Sequence, residues 1–243
     1  MKRFIFSLGV LTLMIMGSLS SYAQQGKWAG LVKYKIEWKG NVPQGLPTNW
    51  DVKVFENTVS HVDMLTFGQL GNVIINGNNK TVTSTYDFSM LPDEGVTEGM
   101  SGKWFVRSKI DGEKLQEVAS KIKYEYTGNS KEIAGINCQE VKVISKDEEG
   151  AETSELIYVT KELGPTMDLE NYPGLDAFPM EYPVEFSAEL SATFTVSELQ
   201  KGKVKDVDVM VDSGYEEISE EDFSDMIRVL FGGGGAEGDE DDM

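Results

Sequence analysis

One cysteine and one histidine, Cys138 and His61, set the first limits on this chain of 243 residues. A lone cysteine closes no intramolecular disulfide, so the fold has to rest on its apolar core. Cys138 reads as a buried small hydrophobe or, given the odd count, as an intermolecular bridge. Any Ser-His-Asp or Cys-His nucleophile system would have to run through His61, which sits in a strand-like run rather than a tight catalytic turn. Zinc sites draw on several His and Cys residues, so no zinc site and no cofactor is expected, and His61 reads as a strand residue. Positive charge is also scarce, with 22 Lys+Arg against 41 Asp+Glu and a net charge of −19. Such a chain repels nucleic acid and anionic membrane surfaces. Glycine is present but not in a phosphate-cradling setting. GQLGNVIIN and the GGGG run at 232–235 lack the lysine or the strand-turn-helix context. Glu148, Glu149 and the acidic tail lack the spaced ladder of an EF-hand, so they read as solvated rather than calcium-binding.

Long apolar runs are absent except at the N-terminus. Lys2 and Arg3 precede FIFSLGVLTLMIM, and a polar stretch leads to Ser21-Tyr22-Ala23. This is the layout of a secretory signal over residues 1–23, with cleavage before Gln24. The apolar run of 13 residues, Phe4 to Met16, is too short for the ~20 of a spanning helix. The single cysteine, Cys138, is far from the cleavage site, so no lipidated N-terminal cysteine can form and the mature chain is expected free in the periplasm or outside the cell, without a lipid anchor. Loss of Lys2 and Arg3 brings its net charge to about −21.

After the signal the dominant period is two. In GLVKYKIEW, Val32, Tyr34, Ile36 and Trp38 share one face. Short strands are expected around Val52 to Phe55 and Thr58 to Leu65. NVIINGNNKTVTSTYDF reads as a hairpin turning at Asn76-Gly77-Asn78-Asn79, with Val82, Tyr86 and Phe88 on one side. MLPDEGVTEGMSG reads as an exposed loop and Lys103 to Ile110 as a strand. Leu115, Val118 and Ile122 are spaced for a short helix within Asp111 to Lys121. IKYEYTG returns to alternation, and Gln139 to Ser145 pairs with Ser154 to Thr160 across KDEEGAE. From Val184 to Val196 the alternation is unbroken, as in one long strand wetted on one side. Lys201-Gly202-Lys203 then reads as a turn into a strand carrying Val207, Val209 and Val211. Ser219, with Asp222 three residues on, caps a helix whose stripe is Phe223, Met226, Ile227, Leu230 and Phe231. Residues 232–243 read as a Gly-rich, acidic, disordered tail, which leaves one domain over 24–231.

One-sided strands need a cover for their apolar face, and the two expected helices supply little. Two architectures satisfy the pattern: a strongly curved antiparallel sheet, or incomplete barrel, around those helices, or a sandwich of two sheets. The stripe Phe186, Leu190 and Phe194 is ordinarily core. In a half-barrel it is a ligand surface, with Phe223 and Ile227 of the C-terminal helix facing it. The partner is then a hydrophobic small molecule or lipid. The alternative is an envelope interaction or stress protein with a filled interior, whose acidic surface meets a basic protein partner. A carboxylate-based enzyme is the remaining class, and with 41 acids no chosen pair stands out.

IAGINCQEVKV, from Ile133 to Val143, resembles a signature of exported bacterial proteins grouped as a domain of unknown function. YVTKELG, DAFPMEYPVEF, and FTVSELQKGKVKD followed by GYEEIS resemble that group in the same order, over most of residues 27–231. That group is similar in fold to the periplasmic lipoprotein carriers LolA and LolB. The resemblance implies an incomplete antiparallel barrel wrapped around helices, with an apolar cavity for acyl chains, and it brings no catalytic residues. Intact-mass analysis of the exported fraction is expected to give a product that begins at Gln24 and carries no lipid. Retention of residues 1–23 would contradict that reading.

Overall fold

The computed structural model describes residues 28–56, 59–63, 71–146, 150–163 and 172–231. The signal segment 1–23 and the tail 232–243 lie outside the described residues. Alternation makes the first strand, β1 (Gly30–Gly40): Val32, Tyr34 and Ile36 are buried, while Lys35 and Glu37 are exposed and paired at 2.8 Å. β2 (Asn49–Phe55), β3 (Val59–Asp63), β4 (Gly71–Asn76), β5 (Thr81–Asp87) and β6 (Lys103–Lys109) follow as an antiparallel meander. Helix α1 (Gly112–Ser120) leads into a second meander, β7 (Ile122–Ile133), β8 (Ile136–Lys146) and β9 (Glu152–Thr160). β10 (Phe178–Ser187), β11 (Leu190–Lys201), the two-residue β12 (Glu216–Glu217) and helix α2 (Glu220–Phe231) complete the chain.

All twelve described strands join one sheet, in the order β12-β6-β5-β4-β3-β2-β1-β11-β10-β9-β8-β7. β12 and β7 are its two ends, so the sheet is open, and every neighbour is antiparallel except β12 on β6. Of the two expected architectures, this is the curved sheet with helices; the sandwich is excluded because no second sheet exists among the described residues. Bulges at Lys33/Tyr34, Tyr126/Ser130, Pro179/Glu181 and Glu185/Ser187 bend the strands.

Two readings of the sequence are corrected. Val184 to Val196 is not one strand but the hairpin of β10 and β11, turning at Ala188 and Glu189. Its two-residue turn opposes Ser187 to Leu190, and a bulge at Phe186 then restores the pairs Glu185 with Ser191 and Val184 with Ala192. The extra residue keeps even-numbered side chains on one face through the turn, so the pattern reads as unbroken. Gly40 lies directly under this turn. At φ +92 it is in the glycine region, and a Cβ there would stand 1.9 Å from the Glu189 carbonyl oxygen. The second correction concerns Val207, Val209 and Val211. Asp206–Val209 is a 3₁₀ turn, because the Asp208 carboxylate accepts from the Lys205 N–H at 2.7 Å and Asp208 N–H donates back to the Lys205 carbonyl at 3.0 Å. Local side-chain bonding of this kind wins over the strand preference of valine. Val209 packs instead with Ile74 and Val204 as a small separate cluster.

The main core lies between β1, β2, β7–β11 and the connection that enters β10. Tyr172, Leu175 and Ala177 of that connection are buried in it. At its centre Phe194 stacks on Tyr182 at 5.4 Å, with Tyr34 and Trp50 edge-on or tilted around them. Tyr34 remains satisfied because its hydroxyl donates to the Pro179 carbonyl at 2.8 Å. Cys138 is fully buried, and burial pushes its thiol up to about 11. On the face of β8 opposite Val141, Glu140, 8% exposed, accepts from Thr127 at 2.7 Å, Tyr158 at 2.7 Å and Asn129 at 2.9 Å. Those bonds, Thr127 first, hold its carboxyl below the usual carboxylate range. Lys131 completes the network, 2.6 Å from Glu181 and 3.9 Å above the Tyr158 ring.

Phe194 is 2% exposed and Phe186 is 46% exposed, so the two aromatic residues of one hairpin should differ in their weight. Phe194→Ala is expected to cost about 3–5 kcal/mol in urea unfolding. Phe186→Ala is expected to cost less than about 1 kcal/mol. Equal losses would contradict the hairpin register.

Candidate functional site

The inner face of the sheet has two halves. The half made by β7–β11, β1 and β2 is filled by the core and by the connection carrying Tyr172. The other half, on β4–β6, has no such filling. Register places Ile75, Val82 and Ser108 in one row and Val73, Ser84 and Val106 in the next. These two rows carry small and β-branched side chains, so their own bulk does not fill that stretch, whereas the next row on the same face carries Tyr86 and Trp104. α1 is what approaches them.

α1 begins where Asp111 caps it, accepting from the N–H groups of Glu113 at 3.0 Å and Lys114 at 3.1 Å. Its apolar residues are few. Leu115 is half-buried, Val118 is 36% exposed, and the helix has no buried residue. On another side Ala119 comes near Gly174 of the filled half, where an added Cβ would stand 3.7 Å from the alanine Cβ. The helix therefore leans on the filled half and leaves a cavity of about 640 Å³ against the other. Val73, Ile75, Val82, Ile110, Leu115 and Val118 give it an apolar wall, and Ser84, Ser108, Lys109, Asp111 and Lys114 add polar atoms. That volume falls within the range of small-molecule sites.

α2 lies at the β5–β6 end of the same face. The Ser219 hydroxyl accepts from the Asp222 N–H at 3.0 Å, fixing the expected cap. Phe223 then packs on Tyr86, ring centres 4.2 Å apart, and Met226 is buried. Glu220 accepts a hydrogen bond from Ser108, so the first turn of α2 touches a residue that lines the cavity.

The five residues singled out in the sequence do not converge. Phe194 is enclosed by other aromatic rings. Phe186, in its bulge, meets Trp38 at 5.2 Å near the end of β1, and Leu190 is half-buried at the base of the same turn. Phe223 and Ile227 are half-buried on α2, at the other side of the sheet. The sequence reading did not single out the cavity residues Val73 and Ile75; it placed Val82 on one side of its hairpin strand with Tyr86 and Phe88, and Leu115 and Val118 at helical spacing, and the cavity is lined by all three. The missing information was which stretch of inner face the helices leave uncovered.

Two other features bear on chemistry. Glu155 stands half-buried on the inner face of β9. Burial raises its pKa, a hydrogen bond from Tyr172 lowers it, and nearby Glu185 raises it further. Among the described residues no group of three or more His, Cys, Asp and Glu side chains is placed to hold a metal ion. No described helix is long and apolar enough to cross a membrane.

No protein-family model matches the chain, and no curated protein does. Among solved structures, a LolA superfamily protein of Nitrosomonas europaea matches over 79% of this chain and 97% of its own length, at 8% identity and a TM-score of 0.30. A domain of Vibrio parahaemolyticus described as outer membrane lipoprotein-sorting matches over 79% and 94%, at 8% identity and a TM-score of 0.22. Superpositions this loose carry no weight on function, and the architecture stands on strand order and register.

The raised pKa of Glu155 fixes the sign of a pH effect. Its neutral form is favoured in the folded chain, so the stability it contributes is complete below the ordinary carboxylate pKa and is lost as pH rises through the folded value. Glu155→Gln is expected to raise the melting temperature at neutral pH, with the difference closing toward pH ~4. A lower melting temperature at neutral pH would contradict this.

Proposed function

We propose that the chain is a non-catalytic, exported binding module that holds a hydrophobic or lipid-like ligand between α1 and the inner face of β4–β6. The observation that carries this reading is the unequal filling of one continuous face. A packed core covers one half, while an apolar cavity of about 640 Å³ lies under the other. An apolar concavity with few polar groups is the general form of a small-ligand site. The lining favours holding over turnover: Asp111 is engaged in capping and Ser108 in its bond to Glu220. α2 borders the cavity through that bond, so Phe223 and Ile227 belong to the element that would shift on ligand entry. The export signal supports a periplasmic or secreted location.

A second reading rests on the opposite face. Val207 is 69% exposed and Met210 57% exposed beside Asp208 and Asp212, in a mostly polar groove of about 520 Å³. Lys53 and Lys103 also line it, so its charge is mixed, and an envelope protein with an apolar anchor would fit that groove, with the interior acting only as core.

A lipid-like fluorescent dye separates the two. Saturable binding, displaced by a fatty acid, is expected for the wild type. Ile75→Trp should weaken it at least about tenfold by filling the cavity, with the circular dichroism of the sheet unchanged. Unaltered affinity in that variant, or no saturable binding by the folded wild type, would overturn the ligand reading.

A further inference from the structure

We infer that the ligand's polar end is anionic, a carboxylate or phosphate on an alkyl chain, and that Lys114 selects it; this rests on the cavity reading above. The chain carries nearly twice as many acids as bases, yet the charged side chains at this cavity are Lys109, Lys114 and Asp111. Asp111 offsets one of the two lysines and leaves the margin net positive. Its carboxylate accepts from two backbone N–H groups of the first helical turn. Lys114 makes no ion pair among the described residues, whereas Lys121 just past the same helix is tied to Glu117 at 2.9 Å. Lys114 and Val118 are four residues apart, hence on one side of α1, and Leu115 adjoins them. The lysine stem thus runs beside the apolar wall and presents its ammonium at the polar margin, the usual disposition of an amphipathic side chain at an apolar site. It also stands in the first turn, where the helix dipole adds to the positive potential.

An apolar wall whose charged margin holds two lysines and one carboxylate selects a single-chain amphiphile of negative charge. A neutral head would leave the ammonium without a partner, and a cationic head would be repelled. A charge-assisted contact at such a margin corresponds to roughly tenfold in affinity.

The test uses the mature protein and displacement of the lipid-like dye by four probes below their micellar concentrations. These are palmitate, palmitoyl-lysophosphatidate, hexadecanol and hexadecyltrimethylammonium. At least one anionic probe is expected to bind about tenfold more tightly than hexadecanol, with the ammonium weakest. Preference for palmitate alone or for the lysophosphatidate alone supports the inference and identifies the head as carboxylate or phosphate. Lys114→Glu should abolish the preference while hexadecanol still binds, and Lys121→Glu, an equal change in charge at the far end of the helix, should keep it. Equal binding of hexadecanol and both anions to the wild type, or a preference that survives Lys114→Glu, overturns the anionic selection and leaves the cavity reading standing. Failure of all four probes to displace dye that binds saturably overturns the anionic selection in the same way, and failure of the folded protein to bind the dye removes both.

Discussion

The inner face of one continuous sheet must be kept from water, and the chain has little helix with which to do it. Among the described residues two helices, of nine and twelve residues, face twelve strands. Apolar surface left wet costs roughly 25 cal/mol for each Å² that could have been buried. The sheet meets this constraint unevenly. Large aromatic side chains and the connection entering β10 fill one half completely. On the other half β4 and β5 offer Val73, Ile75 and Val82, and α1 answers with only Leu115 and Val118.

The filled half gives the molecule its rigidity. Tyr34, Trp50, Tyr182 and Phe194 lock β1, β2, β10 and β11 together across the inner face. The network of Glu140, Tyr158, Lys131 and Glu181 ties β7–β10 across the other face, with its acceptors satisfied by named donors. A half built this way has no reason to open for a ligand. α1 lies between the two halves, close to Gly174 on one side and to the cavity on the other, which makes it the element whose position sets the cavity volume.

Much of the fold was legible because strands wetted on one side write their register into the sequence. Val32, Tyr34 and Ile36 declared the inner face of β1, and Ser219 with Asp222 declared the start of α2. The hairpin at Ala188 and Glu189 was not legible, since the bulge at Phe186 preserves the parity that a two-residue turn would otherwise break. Val207, Val209 and Val211 misled for a local reason, the Asp208 carboxylate that closes a turn on Lys205. The site was harder still. Phe194 and Val82 carry the same pattern in sequence, and only the long-range placement of Tyr172 and α1 makes one packed and the other the wall of a cavity.

A methyl-resolved NMR titration of the mature protein with palmitate tests the central claim, that one half of the face is open and the other closed. The account predicts saturable shifts at Val73, Ile75, Val82, Ile110, Leu115 and Val118, with Val141, Ile157 and Val159 of the filled half unmoved. Shifts centred on the filled half, or spread evenly over both, would contradict it.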